Sequence, residues 1–160
     1  MNFQIKTAEE KDVAAIVALI QEFAAFENLS EFCEVTDANL TDAMFGARPR
    51  VEGLMAFDRN EPIGYALFFE NFASFRGQRG FYLEDLYVKP EYRRRRVGEA
   101  FLKKLAQIAA SRNFRRIDFL VLDWNENAVQ FYKKLGAAMD ESERHFKFTD
   151  AAFKELGKEE

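Results

Sequence analysis

The sequence predicts an α/β (α+β) protein: a mixed central sheet flanked by helices. Three observations lead there. Two apolar runs, Val51–Phe57 and Ile63–Phe72, flank the polar turn Asp58-Arg59-Asn60-Glu61, the pattern of an antiparallel hairpin. A helical pattern over Arg96–Arg112 lies between the strand patterns Gly80–Val88 and Arg116–Leu122, and a helical crossover joins parallel strands. A chain of 160 residues, 48% hydrophobic and 31% charged, has the length and composition for a single domain, 1–160, with its own core.

The elements follow in order. Phe3 and Ile5 alternate with polar residues and predict a short first strand. Thr7 with Glu10 reads as a capping box opening a helix to about Ala25, whose apolar face is Val13, Ile16, Val17, Ile20, Phe23 and Ala24. Phe26–Val35 is an acidic loop carrying Glu27, Glu31 and Glu34. Thr36 caps a short helix through Met44, broken by Gly46–Pro49. After the hairpin, Ala73–Gly80 reads as a loop and Gly80–Val88 as the central strand. The Arg96–Arg112 helix turns Phe101, Leu105, Ile108 and Ala109 to one side. Arg116–Leu122, nearly all apolar apart from Asp118, predicts a strand buried on both faces. Asn125–Leu135 is a helix closed by Gly136, with Lys133 and Lys134 in its last turn. Ala137–Thr149 is expected to supply one or two strands and Ala151–Leu156 a final helical turn.

Composition narrows the function. A net charge of −4 argues against a nucleic-acid binder and for a cationic partner. One cysteine, Cys33, and one histidine, His145, exclude an internal disulfide and argue against a Cys- or His-built metal site, so none is expected. The start MNFQIKTAEEKD lacks a signal-peptide core and no apolar run approaches membrane-spanning length, so the expectation is a cytoplasmic protein with no membrane partner. Eighteen phenylalanines point to an aromatic core or a subunit interface.

The chemistry concentrates in FYLEDLYVKPEYRRRRVGEAFLKKL, Phe81 to Leu105. A strand with two adjacent carboxylates runs through a basic turn into a helix. The first turn of that helix offers unpaired N–H groups and the positive end of the dipole, a ready seat for a polyphosphate. Alone, the four arginines would read as a solvated turn or a nucleic-acid patch. Their place between strand and helix favours phosphate.

This order of elements, FYLEDLYVKPEYRRRRVG, the later FLVLDWNENAVQFYKKLGA and the pair Phe26-Glu27 resemble the GNAT superfamily of acetyl-CoA-dependent N-acetyltransferases. The likeness extends to its diamine (spermidine/spermine) and thialysine acetyltransferases and covers nearly the whole chain. It implies that the loop motif Arg/Gln-x-x-Gly-x-Gly/Ala, whose amides hold the CoA pyrophosphate, falls on Arg93, Arg94, Arg95, Arg96, Val97 and Gly98, followed by Glu99. Arg96 departs from the motif's usual glycine; with a negative φ it could still serve, adding charge-assisted contacts. The resemblance further implies that the main chain of Leu86, Tyr87 and Val88 pairs with pantetheine like an added strand. Asn125 and Ala128 would contact the same arm, and Tyr132 would be the general acid for the departing thiolate. As residue types alone, Asn125 is equally a plain N-cap and Tyr132 a packed helix tyrosine.

For the amine side, the resemblance implies that Glu84 takes the substrate's proton, through water, since an alkyl ammonium of pKa about 10.4 must lose it to attack. Glu84 and Asp85 are adjacent in a strand and are expected to face opposite ways, leaving Asp85 to bind a distal ammonium or hold structure. Phe26, Glu27, Asp118 and Phe119 match substrate-side positions; Glu27 is equally readable as a solvated loop acid. Arg144 stands near the place of a polyamine-packing tryptophan; it would repel a polyamine and accept a substrate carboxylate, as in thialysine.

The leading expectation is therefore a small-amine N-acetyltransferase using acetyl-CoA in a ternary complex, without metal, commonly a homodimer. The alternatives are a protein or peptide lysine acetyltransferase and a CoA-binding module without turnover, the latter raised by Arg96.

Overall fold

Alternation over Phe3–Thr7 forms β1, and the chain then enters a 3-10 turn at Glu10–Asp12 and helix α1, Val13–Phe26. The computed structural model describes residues 3–158 and divides into two compact units, one ending at Leu120 and one beginning at Val121. The capping box expected at Thr7 forms two residues later, where the Glu9 N–H donates to Asp12 Oδ2 at 2.9 Å. Thr7 itself is still in β1, paired with Leu54, so it is not free to cap. Helix α2, Asp37–Phe45, starts where expected: the Asn39 N–H donates to Thr36 Oγ1 at 3.2 Å and the Thr36 N–H to Asn39 Oδ1 at 2.9 Å.

Strands β2 (Glu52–Asp58) and β3 (Glu61–Ala73) form the expected hairpin, with Arg59 left-handed at its turn. A second tight connection, Ser74–Arg76 followed by Gly77 at φ 58°, returns the chain as β4, Gln78–Val88. Helix α3, Val97–Ser111, crosses back to β5, Ile117–Asp118. The sheet order is β1-β2-β3-β4-β5, antiparallel until the last pair, where β4 and β5 run parallel.

Each face of this sheet carries a core. On one, Val97, Phe101, Leu105 and Ala109 of α3 pack on Leu54, Ile63, Phe68, Phe81 and Leu83. On the other, Val13, Ile16, Val17 and Leu19 of α1 and Leu40 and Met44 of α2 pack on Met55, Tyr65, Leu67 and Tyr87. The expected face of α3 is thus the buried one, and its burial fixes the helix N-terminus at the end of β4.

Two strand expectations fail. The Arg116–Leu122 strand is only the two residues of β5, paired with Phe81 and Tyr82; Leu120 is 59% exposed and Leu122 40%. No strand covers its far edge among the described residues. In the second unit, α4 (Glu126–Lys134) and α5 (Asp150–Leu156) form, but no strand forms over 137–149. There Asp140 Oδ1 accepts from the Ser142 N–H at 2.8 Å and its hydroxyl at 2.6 Å, a local turn that competes with extended pairing. Among the described residues four phenylalanines are buried, Phe68, Phe81, Phe101 and Phe114, five more (Phe3, Phe23, Phe45, Phe57 and Phe119) pack against the two cores, and seven are exposed. The aromatic content is therefore divided between core and surface. No helix among the described residues is long and apolar enough to cross a membrane.

Candidate active site

Strand β4 positions the site in the first unit. Its parallel pairing with β5 ends at Tyr82↔Asp118, yet β4 continues to Val88 and leads through a Pro90–Tyr92 turn into α3. On the other side the ladder with β3 runs Leu67↔Asp85 and then Phe68↔Leu83, so Glu84 is an extra, unpaired residue: a β-bulge. The bulge corrects the expected alternation. Phe81 and Leu83 before it, and Leu86 and Val88 after it, all join the α3-side core, while Tyr87 joins the other. The apolar phase flips from odd to even at Glu84, which itself is exposed.

Asp85 is half-buried beside Tyr65, whose hydroxyl donates to Asp85 Oδ2 at 3.1 Å. Burial, opposed by that hydrogen bond and helped by the Glu84 charge, pushes the Asp85 carboxyl up to about 6. The two carboxylates therefore sense each other across the bulge and are not electrostatically separate. Glu27, at the C-terminus of α1, is also raised, by burial and by the Asp85 charge. A concentration of acid is thus maintained against the sheet at the end of α1.

The basic turn has a different design from the one the sequence suggests. Arg93 points inward: its Nε donates to the Val88 carbonyl at 2.9 Å and its guanidinium lies 4.4 Å from the Phe26 ring centre and 5.7 Å from that of Tyr87. It ties the end of β4 to the end of α1 and occupies the Val88 carbonyl. Arg95 lies over Tyr92, 5.1 Å from the ring centre, and Arg94, Arg95 and Arg96 are exposed. Arg96 has φ 63°, not the negative value under which arginine is comfortable, and Arg94 has φ 61°. The left-handed region costs a residue with a Cβ about 1–2 kcal/mol, and glycine recovers that at an entropic cost of about 0.5–1 kcal/mol. Arg96→Gly is accordingly expected to raise folding stability by up to about 1 kcal/mol, read as an equal or higher thermal midpoint. Val97, Gly98 and Glu99 form the first turn of α3, the turn in which a helix generally leaves its N–H groups to partners outside it. Glu99 is bridged to Lys103 at 2.6 Å.

Asp118 is engaged: it accepts from Asn71 Nδ2 and Arg116 Nε, both at 2.7 Å, and from Arg116 Nη2 at 2.5 Å. Burial would raise its carboxyl, but Arg116 and Asn71 outweigh it and hold it below the usual range. Phe119 packs at the margin of the α3-side core. In the second unit, Asn125 caps α4 by accepting from the Ala128 N–H at 3.2 Å. Tyr132 sits against Phe131, ring centres 5.0 Å apart, and burial pushes its phenol up to about 12. Arg144 is exposed. Sequence reasoning missed Tyr65, which reads as an ordinary core aromatic, and Glu22, which accepts from the Tyr87 hydroxyl at 3.4 Å. Two surface concavities, of about 230 Å³ beside Lys6 and Arg59 and about 510 Å³ beside Arg76 and Arg115, contain none of these residues.

A strand that outruns its parallel partner and feeds a helix N-terminus is the arrangement the motif requires, and residues 16–137 match the model of the Acetyltransferase (GNAT) family. The chain belongs to this family. It is a GNAT acetyltransferase, similar to the thialysine N-epsilon-acetyltransferase of Bos taurus, at 36% identity over 95% of each chain. It is also similar to the spermidine/spermine N(1)-acetyltransferase-like protein 1 of Homo sapiens, at 36% identity over 84% of this chain and 20% of that one. Among solved structures, an integron cassette protein from the mobile metagenome of V. cholerae superposes with a TM-score of 0.84 over 99% of each chain, at 22% identity. That last likeness speaks for the fold. GNAT acetyltransferases use acetyl-CoA, and the donor set fits such a group: helix amides in the first turn of α3, exposed guanidiniums at Arg94–Arg96 and a β4 edge that has no strand partner after Tyr82 among the described residues.

Proposed function

We propose that this GNAT domain, taken as one unit over 1–160, transfers an acetyl group from acetyl-CoA to the primary amine of a small cationic molecule by direct attack in a ternary complex. The observation that carries the reading is β4: without a strand partner on one side beyond Tyr82 among the described residues, bulged at Glu84, and running into the α3 N-terminus. The amides of Val97, Gly98 and Glu99, with the Arg94, Arg95 and Arg96 side chains, would hold the pyrophosphate. The main chain of Leu86 and Tyr87 would pair with pantetheine, the Val88 carbonyl being already engaged by Arg93. Asn125 and Ala128 would border the same arm. Bound acetyl-CoA supplies the thioester that the amine attacks.

Glu84, exposed at the bulge, accepts the ammonium proton through water, and Asp85 and Glu27 attract the cation. Tyr132, pushed up to about 12, keeps its proton throughout the neutral range and is a donor to the departing sulfur. Phe26 and Phe119 are proposed to border the acceptor. Asp118, spanned by Arg116 and Asn71, would act on the acceptor as part of that network. Arg144 favours an acceptor with a carboxylate besides its amine. Both relatives' names point to a small cationic amine, and of the two only thialysine carries the carboxylate that Arg144 favours. The seven exposed phenylalanines, among them Phe146, Phe148 and Phe153, support a homodimer that covers part of them. The protein is proposed to work in the cytoplasm.

Initial rates measured with both substrates varied test the mechanism. Intersecting double-reciprocal lines are expected for a ternary complex; parallel lines would mean an acetyl-enzyme and overturn it.

A further inference from the structure

We propose that Tyr65 is a positioning residue for amine recognition: its buried hydroxyl holds one oxygen of Asp85 and so directs the other, as a carboxylate, to the ammonium. The inference rests on the acetyltransferase reading above and adds to it a residue that touches neither substrate.

The geometry begins in the sheet. Tyr65 pairs with Tyr87 and Leu67 with Asp85, so Tyr65 and Asp85 are diagonal cross-strand neighbours on the face covered by α1 and α2. Tyr65 is fully buried, its ring 6.3 Å from that of Tyr87, and a buried phenol needs a hydrogen-bond partner. Its partner is Asp85 Oδ2 at 3.1 Å. Asp85 Oδ1 has no protein hydrogen bond among the described residues. One oxygen is therefore fixed from the core side and the other remains for a ligand. Without the phenol, the carboxyl could rotate and would protonate more readily, since burial and the Glu84 charge both favour its neutral form.

The charged and titrating groups that act on this pair come from α1, the segment after it, β4 and the loop after β4, while α2 contributes the apolar Leu40 and Met44 to this face. Glu27 stands at the C-terminus of α1, and Cys33, in the segment after it, acts on Tyr65. Glu84 and Tyr87 come from β4, Tyr87 accompanied by Glu22 of α1 and by Arg93 of the following loop. The titrating neighbours of Asp85 are acids, apart from Arg93 behind Tyr87. A donor is thus what the carboxyl lacks, and Tyr65 is the donor it has.

Tyr65→Phe removes the hydroxyl and keeps the ring. The amine KM is expected to rise roughly tenfold or more, the low end of what one hydrogen bond to a charged group is worth. The acetyl-CoA KM and kcat should stay within about twofold. The acid limb of kcat/KM for the amine should move to higher pH, because the protonated fraction of Asp85 grows. A carboxyl-carbon NMR titration of Asp85, which needs no turnover, should show its midpoint raised in the variant. Tyr92→Phe, which removes a surface hydroxyl bonded to Glu61 at 3.1 Å, is the control and should change neither limb nor midpoint. An unmoved Asp85 titration, or a raised KM with an unmoved limb, would overturn the positioning role and leave Tyr65 as core packing. If the wild type acetylates no amine, the functional reading fails. The titration then decides separately whether Tyr65 sets the state of Asp85.

Discussion

Tyr132→Phe is expected to lower kcat by about 10²–10⁴-fold, the range a positioned general acid supplies, with CoA affinity little changed. The ring and its contact with Phe131 survive the substitution, and the hydroxyl with its proton is lost. Burial raises this phenol to about 12, which rules it out as a base at neutral pH and leaves donation as its chemistry. Loss of stabilisation for a leaving thiolate falls on the transition state, so it appears in kcat and kcat/KM together. Single-turnover thiol release, with CoA binding followed by calorimetry, separates the two effects. A variant with near-normal turnover would remove Tyr132 from the mechanism. A variant that has lost CoA affinity instead would make Tyr132 a binding residue.

Glu84→Gln is expected to lower amine kcat/KM about 10²-fold at pH 7, equivalent to about 2.7 kcal/mol of transition-state stabilisation. The loss should shrink as pH rises. At pH 7 an amine of pKa about 10.4 is neutral in only about one molecule in 2,500, and that fraction grows about tenfold per pH unit. An enzyme with an internal acceptor can bind the abundant ammonium and discharge it; one without must wait for the free amine. The wild-type and variant profiles should therefore converge toward pH 10. Because Glu84 is exposed and outside the β3 ladder, glutamine should leave the thermal midpoint unchanged. A deficit constant with pH would show that Glu84 binds or orients the amine without accepting its proton.

Much of the fold is legible in the sequence because it is decided locally. The Thr36–Asn39 cap, the β2–β3 turn, the buried stripe of α3 and the stop at Gly136, with φ 92°, each depend on a few neighbouring residues. What fails depends on distant partners. Nothing within Arg116–Leu122 says that only two of its residues find a strand, and nothing in 137–149 reveals that the Asp140–Ser142 turn forms in place of strand pairing. The bulge is an intermediate case. Its signal is present in FYLEDLYV, where the apolar positions shift from Phe81 and Leu83 to Leu86 and Val88, but unbroken alternation from Phe81 and Leu83 would put Asp85 on the α3 side, whereas it lies beside Tyr65 on the other. Arg96 shows the reverse. The departure from glycine is visible in the motif, while only the backbone reveals that the position is left-handed and strained. Tyr65 was invisible because a buried aromatic in a strand carries no mark of the carboxylate beside it.

The measurement that bears most directly on the central claim is thiol release from acetyl-CoA against a panel of thialysine, lysine, putrescine, spermidine and a lysine-rich peptide, with the acetylated product identified by mass. Stoichiometric release with a small amine, fastest with carboxylate-bearing thialysine, is the predicted result. Release with the peptide alone, or CoA binding without release on any acceptor, would contradict it.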